Sequence, residues 1–371
     1  MLDIKLKLTP GHTSERSPLK RSPLVSLFWN ITYACNYRCE VCFTSAGRRD
    51  PEELSTDEAK GVVRRTHDAG VGDIILSGGE PFMRDDIVEI VAYMAEMGMV
   101  ARFASNGSLL TDEILGQLRD RTLTKSFQIS LDTLDPVLYQ KIHRSPPGAL
   151  AVALNSLRRI QDHGFHTTVS VRLTPETMPG IPDLLDRASA EGWATVTIHW
   201  PLHTRRIKDG FPQDADFLSL LEPVFERFLA LPKRWLVETY IPWAPYHPVI
   251  KRLEQQIRVV HRGCAGGRDH LTINPTGLIS PCVCLDMPEA HVGDIRTDDI
   301  LDVFNNSPLC KMVRSPQEYG ICVDCPEVGT CGGGCRASAF VLTGRLDGQD
   351  TACPIWQTKK ATPRAATHVE P

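Results

Sequence analysis

SLFWNITYACNYRCEVC, residues 26–42, joins seven residues of strand-like character directly to three cysteines in the spacing CxxxCxxC. An apolar, aromatic run of that length reads as a buried strand. Cys35, Cys39 and Cys42 then lie in the loop at its C-terminal end. Three thiolates within eight residues suit three irons of a [4Fe–4S] cube and leave the fourth iron without a protein ligand. A molecule with an amino and a carboxylate group can chelate that open iron. A structural zinc site is the plainer alternative, but zinc takes four protein ligands there, and no fourth Cys or His stands nearby.

Outward from this loop, strand-like runs alternate with helical patterns from about residue 26 to 230, the pattern of repeated βα units and a parallel sheet. The predicted strands are SLFWNIT (26–32), DIILSG (73–78), VARFASNG (100–107), KSFQISLD (125–132), TTVSVRLT (167–174) and TVTIHWPL (195–202). Ser55 with Glu58 forms a capping box before a helix expected to end near Gly70. The fold class is α/β: a partial (β/α)6 TIM-like barrel followed by a small cysteine-rich domain. In such a barrel, functional groups gather at the C-terminal strand ends. Those ends carry Cys35 to Cys42, Ser77 to Pro81, Ser105 to Gly107, and Ser130 with Asp132.

The predicted divisions are an N-terminal extension (1–25), the barrel (26–231), a Pro- and aromatic-rich connector (232–262) with one helix near 248–260, a Cys- and Gly-rich unit (263–356) and a polar tail (357–371). The cysteine-rich unit includes β-like stretches such as HLTINPTGLIS and looks held together by metal more than by an apolar core. A net charge of -4 with 42% apolar residues gives no hint of a nucleic-acid surface. The N-terminus lacks the apolar run of a secretory signal and no stretch is long enough to span a bilayer. The expectation is a cytoplasmic protein with neither nucleic-acid nor membrane partners. Twelve cysteines in a reducing compartment point to metal ligation or catalysis.

With SGGEP (77–81) one βα unit after the CxxxCxxC loop, the chain resembles the radical S-adenosylmethionine (SAM) superfamily. The resemblance implies that Gly78, Gly79 and Glu80 bind the SAM amino group, where glycine permits close backbone approach. It further implies SAM contacts near Asn106, Ser130 and Asp132, with Arg172 a partner for the SAM carboxylate. Each has a structural alternative, such as a turn at Asn106-Gly107 or a helix cap at Asp132. Val41 departs from the many relatives that carry an aromatic there, so adenine stacking falls to Phe43 or elsewhere.

Cys264, Gly277, Cys282, Cys322, Cys325, Cys331, Cys335 and Cys353 follow an order that resembles the SPASM extension of this superfamily, which binds two auxiliary iron–sulfur clusters. A zinc ribbon is the alternative for CxxC followed by CxxxC. The resemblance assigns Cys322, Cys325, Cys331 and Cys353 to an outer [4Fe–4S] cluster and Cys264, Cys282 and Cys335 to an inner one. Its fourth ligand stays open between Cys284 and Cys310, and either is instead a candidate catalytic thiol donating a hydrogen atom to a substrate radical. Cys284 is better placed for ligation, and Cys310 reads equally as a buried inert Cys.

The runs TYACN, SAGRRDPEELST and GRLDG look most like the superfamily branch that matures mycofactocin and pyrroloquinoline quinone precursors. That resemblance implies oxidative modification of a ribosomally made peptide. With about 25 residues before the first predicted strand, a separate leader-peptide-binding protein is expected, together with an electron donor such as flavodoxin or ferredoxin. The alternatives are a small-molecule dehydrogenase or epimerase acting on an aminocyclitol or aminosugar, and a non-catalytic electron-transfer protein. His199, His203, Arg205 and Arg206 at the end of the sixth strand are candidates for substrate binding, and Trp243 and Tyr246 for an aromatic wall.

Overall fold

The computed structural model describes residues 3–7, 24–199, 221–231, 236–239, 248–261, 264–318, 320–326, 328–350, 353 and 355. Among these, one sheet runs through twelve strands. The first, β1 (Asp3–Lys7), precedes a central set of six: β2 (Ser26–Thr32), β3 (Asp73–Gly78), β4 (Val100–Ser105), β5 (Thr124–Ser130), β6 (His166–Arg172) and β7 (Thr195–His199). These six are parallel neighbours in chain order and coincide with the six predicted strands. Parallel strands that neighbour one another in chain order need a crossover between each pair, and right-handed crossovers are the rule, which is the logic of a barrel wall.

The helices between them are α1 (Thr56–Asp68), α2 (Ile87–Glu96), α3 (Asp112–Arg121), α4 (Pro136–His143), α5 (Ala149–Asp162) and α6 (Ile181–Glu191). The predicted capping box starts α1: Ser55 Oγ accepts from Glu58 N, and the Glu58 carboxylate accepts from Ser55 N at 2.8 Å. The helix gives way to Gly70 at φ +76°.

Strand register separates two faces, because side chains alternate along each strand. One row reads Trp29, Leu76, Phe103, Phe127 and another Ile129, Val169, Val196. These are buried core residues, with the Phe103 and Phe127 rings stacked at 5.3 Å. The opposite face reads Asn30 beside Ser77, Gln128 beside Thr168, Ser130 beside Ser170 and Thr197, and Arg172 beside His199. A sheet this polar on one side faces something other than a hydrocarbon core.

The sheet extends beyond the predicted barrel at both edges. β1 lies antiparallel between β7 and β8 (Leu236–Thr239), and β9 (Val259–His261) lies parallel to β8. Segment 1–25, read as an extension before the first predicted strand, contains the strand DIKLK; five residues are a weak signal. α7 (Glu222–Ala230) ends just before the stretch read as a connector, where β8 follows; within it α8 (Pro248–Glu254) stops short of the predicted 260, where β9 takes over. On the other edge β10 (His270–Ile273) pairs parallel to β2, followed by β11 (Leu278–Ser280) and β12 (Gly293–Asp294). The cysteine-rich segment is therefore stitched onto the strand that ends in the CxxxCxxC loop. It continues with α9 (Ile300–Asn306), α10 (Pro308–Arg314), α11 (Val328–Cys331) and α12 (Arg336–Thr343). No described helix is long and apolar enough to cross a membrane. His203, Arg205, Arg206, Trp243, Tyr246 and the tail lie outside the described residues.

Candidate iron–sulfur and SAM site

The CxxxCxxC loop hangs between two supports. On one side Cys35 N donates to Gly47 O (3.1 Å) and Gly47 N to Tyr33 O (2.8 Å). On the other, Arg38 N and Glu40 N donate to the carbonyls of His143 (3.3 Å) and Ile142 (2.9 Å). Those carbonyls end α4, where the last turn of a helix lacks internal donors. The loop therefore satisfies the helix and the helix fixes the loop. Val41 is buried against Ile142 and Leu138 of α4, so its small side chain serves packing.

Cys35, Cys39 and Cys42 are partly exposed and close enough to repel one another as thiolates. Burial pushes Cys35 up to about 11 and Cys39 up to about 12, and the charge of Cys42 adds to both. Bare thiolates are disfavoured here; bound iron would supply the positive charge that deprotonates them. Among the described residues no three His, Cys, Asp or Glu side chains are grouped to hold a single metal ion. A cube takes each thiolate on a different iron, so its ligands need not converge on one point.

The SGGEP turn is locked to this loop. Gly79 N donates to Thr32 O (2.7 Å) and Glu80 N to Ala34 O (2.8 Å). A Cβ on Gly79 would lie 2.0 Å from the Ala34 carbonyl oxygen, and one on Gly78, at φ +121°, 2.4 Å from Thr32 O. The close backbone approach that glycine permits is thus realised against the cysteine loop itself. Glu80 is fully buried, and its carboxylate accepts from Ser105 Oγ (2.8 Å), Asn106 N (2.8 Å) and Phe82 N (3.4 Å). It ties the ends of β3 and β4 together.

Burial outweighs these hydrogen bonds and raises Glu80 to about 7. Since the fold holds this proton more tightly than the unfolded chain does, the stability involved is complete below about pH 4.5 and drains away as pH rises through about 7. At roughly 1.4 kcal/mol per unit, the cost is about 3 kcal/mol. Thermal or urea unfolding should accordingly show wild type losing ground to Glu80→Gln between pH 5 and 8. A difference between the two proteins that is flat with pH would refute this.

The other predicted SAM contacts occupy distinct positions. Asn106 is buried, its Nδ2 donating to Asn36 Oδ1 (2.9 Å) and its Oδ1 accepting from Ser108 N (2.8 Å), while Gly107 turns the chain at φ +79°. Ser130 is partly exposed on the polar face beside Ser170. The Arg172 guanidinium sits 3.6 Å over the centroid of the Phe43 ring, and His199 meets that ring edge-on at 5.8 Å. One face of Phe43 is therefore taken by a cation. Asp132 caps no helix; Asp135 caps α4 instead. Asp132 Oδ1 accepts from Arg172 N (2.5 Å), and Oδ2 lies 3.1 Å from His143 Nε2, close enough for an ion pair but misaligned for a hydrogen bond. Burial would raise this carboxyl, yet His143 and Arg172 together hold it below the ordinary range.

Sequence reading did not select Asn30. It is fully buried, and neither amide atom has a hydrogen-bond partner; Thr197 Oγ1, Thr272 Oγ1 and Arg172 Nη1 are buried in the same state. All four belong to the polar face of the sheet. Buried polar atoms left unsatisfied at this density call for a polar occupant, and SAM, with its ammonium, carboxylate and ribose, fits the set. A lone Asn or Thr inside a strand carries no sequence signal; only register reveals that they share a face.

The nine C-terminal cysteines sort by environment. Cys264, Cys282, Cys284 and Cys335 line one pocket with Gly266, Pro281 and Arg336. Cys284 N lies 3.5 Å from Cys282 Sγ, and hydrogen bonds from Cys284 and His270 hold Cys282 well below the usual thiol range. Burial pushes Cys335 up to about 12, reinforced by Cys264 and Cys282. A second group forms around Cys353, whose charge acts on both Cys322 and Cys331, while Cys325 acts on Cys322. Gly332, Gly333 and Gly334 all adopt positive φ (70°, 83° and 80°), and Gly333 and Gly334 N–H groups turn toward Cys331. Asp350 joins the two groups, accepting from Cys335 N (2.7 Å) and, through its carbonyl, from Cys353 N (3.1 Å). Cys310 is absent from the pocket lining; it is fully buried in the first turn of α10, its N–H capped by Ser307.

A cysteine-bearing loop at the open end of a (β/α)6 wall, beside an unsatisfied polar face and backed by two thiol groups, defines a SAM-dependent iron–sulfur enzyme. Residues 29–188 match the Radical SAM superfamily and residues 264–326 match SPASM, an iron–sulfur cluster-binding domain; the chain carries a radical SAM domain followed by a SPASM domain. It is 29% identical over 334 residues to mycofactocin maturase MftC of Mycobacterium ulcerans, covering 89% of this chain and 87% of that one. It is 27% identical over 360 residues to AdoMet-dependent heme synthase of Nitratidesulfovibrio vulgaris, covering 92% and 95%. In fold it matches Streptococcus suis SuiB bound to S-adenosylmethionine (TM-score 0.69, 18% identity, 91% and 79% covered) and bound to precursor peptide SuiA (0.68, 17%, 91% and 77%).

Proposed function

We propose that this enzyme cleaves SAM to a 5′-deoxyadenosyl radical and oxidatively modifies a ribosomally made peptide, passing the substrate electron to auxiliary clusters. The observation that carries the oxidative reading is the sorting of eight C-terminal thiols into two groups of four. Cys264, Cys282, Cys284 and Cys335 are assigned to an inner cluster and Cys322, Cys325, Cys331 and Cys353 to an outer one, each of the [4Fe–4S] type. Cys284, not Cys310, is the fourth inner ligand, and Cys310 packs the core. The likeness to mycofactocin maturase over most of both chains supports a peptide as substrate.

The bound cluster and SAM supply the radical; the protein contributes position and exclusion of water. In this reading the SGGEP turn presents its backbone to the SAM amino group while Glu80 holds that turn to β4. Arg172, braced on Phe43, takes the carboxylate, and Asn30, Ser130 and Thr197 take the remaining polar groups. Flavodoxin or ferredoxin delivers the electron, and a separate protein binds the leader peptide.

The similar identity to the heme synthase favours a second reading, in which a haem precursor occupies the same chamber. Anaerobic incubation with SAM, reductant and a precursor peptide encoded beside this gene should release 5′-deoxyadenosine and lower the peptide mass by hydrogen or carbon dioxide. Turnover of a haem precursor or an aminocyclitol, with the peptide unchanged, would overturn the peptide assignment.

A further inference from the structure

We propose that His143 is a positioning residue for the first cluster, donating a hydrogen bond from Nδ1 to the Cys39 sulfur and thereby setting the cluster's reduction potential. The inference rests on the reading of Cys35, Cys39 and Cys42 as cluster ligands. His143 Nδ1 stands 3.4 Å from Cys39 Sγ, within reach of an N–H to sulfur contact. The ring has little freedom: His143 is 2% exposed, Tyr139 packs over it at 4.1 Å between centroids, and Tyr37 meets it edge-on at 6.4 Å. On its far side Asp132, also 2% exposed, lies 3.1 Å from Nε2 and is anchored by the Arg172 N–H. The His143 carbonyl accepts from Arg38 N inside the cysteine loop. One residue thus touches the loop through both backbone and side chain.

The other two thiols are served differently. Cys35 Sγ accepts from Tyr37 N at 3.4 Å, a main-chain contact. Thr44, 3.5 Å from Cys42 Sγ, has one hydroxyl hydrogen and a shorter contact of 3.0 Å to the Gly78 carbonyl. A thiolate bound to iron can only accept, so a hydrogen on Nδ1 is drawn to it. That bond removes electron density from the sulfur and favours the more negative, reduced cluster, one of the ways a protein raises the potential of an iron–sulfur centre.

The test is an EPR-monitored redox titration of the full-length reconstituted enzyme, following the signal that changes when SAM is added. His143→Phe keeps an aromatic ring against Tyr139 and removes the donor; His143→Gln keeps an amide N–H. His143→Phe is expected to load iron and to show about a tenfold lower reduced-to-oxidised ratio at fixed potential, a shift of about 59 mV to more negative values for one electron. His143→Gln should recover most of that shift. If His143→Phe fails to load, His143→Leu carries the same comparison. Loaded Phe or Leu variants that titrate with wild type, or loss of loading in Phe, Leu and Gln alike, overturn the inference. The absence of any SAM-responsive signal in the unmodified enzyme overturns the cluster reading beneath it.

Discussion

Gly79→Ala is expected to abolish SAM cleavage and to strip roughly one cluster, about four irons, from the reconstituted enzyme. The new methyl group would lie 2.0 Å from the Ala34 carbonyl oxygen and 2.8 Å from that of Tyr33. Both are main chain, so neither can rotate away as a side chain would. Relief requires moving β3 or the start of the cysteine loop, at a cost of about 3 kcal/mol or more. Ala34 precedes Cys35, and a shift of 1 Å there displaces the first thiol relative to the other two. Iron and sulfide analysis together with 5′-deoxyadenosine production would show the effect. Full loading and normal SAM cleavage in the variant would mean that the loop tolerates the clash. Gly98→Ala serves as the control for the clash: Gly98 sits at positive φ (+72°), which Gly79 does not, and nothing lies within 4 Å of its added Cβ, so it should cost backbone strain alone.

Cys284→Ala and Cys310→Ala should part company completely. Cys284 lines the pocket with three other thiols; on the proposed assignment its loss leaves a cube short of a ligand, and iron content is expected to fall from roughly twelve to roughly eight atoms per chain, with product formation lost. Cys310 lies fully buried in the core, its thiol raised by burial, so Cys310→Ala should retain every cluster and lose about 1 kcal/mol of packing. Iron quantification with Mössbauer spectroscopy distinguishes the outcomes. Equal iron in Cys284→Ala and wild type would transfer the ligand role elsewhere, and loss of epimerised product in a fully loaded Cys310→Ala would make that thiol a hydrogen donor.

The barrel was legible because its strands are long, apolar and punctuated by helices with readable caps, as Ser55 and Glu58 illustrate. β1 and β9 were not: five and three residues form strands only because β7 and β8 offer unpaired edges. The Cys35, Cys39, Cys42 loop and the SGGEP turn were equally plain, since their chemistry depends on residues adjacent in the chain. Asp132 could be noticed but not understood, because its partner His143 is eleven residues away on another element and reaches it only through the packing of α4.

The linear sequence by itself determined the kind of protein this is. Ligand spacing, glycine placement and hydrophobic period are local properties, and local properties are written in order along the chain. Which thiols share a pocket, that Cys284 joins Cys264, Cys282 and Cys335 while Cys310 does not, that Asn30, Thr197 and Thr272 form one unsatisfied polar face, and that His143 reaches Cys39 were decided only by tertiary structure. Each depends on groups far apart in sequence, and their distances are set by sheet register and helix packing, which no short window of residues contains.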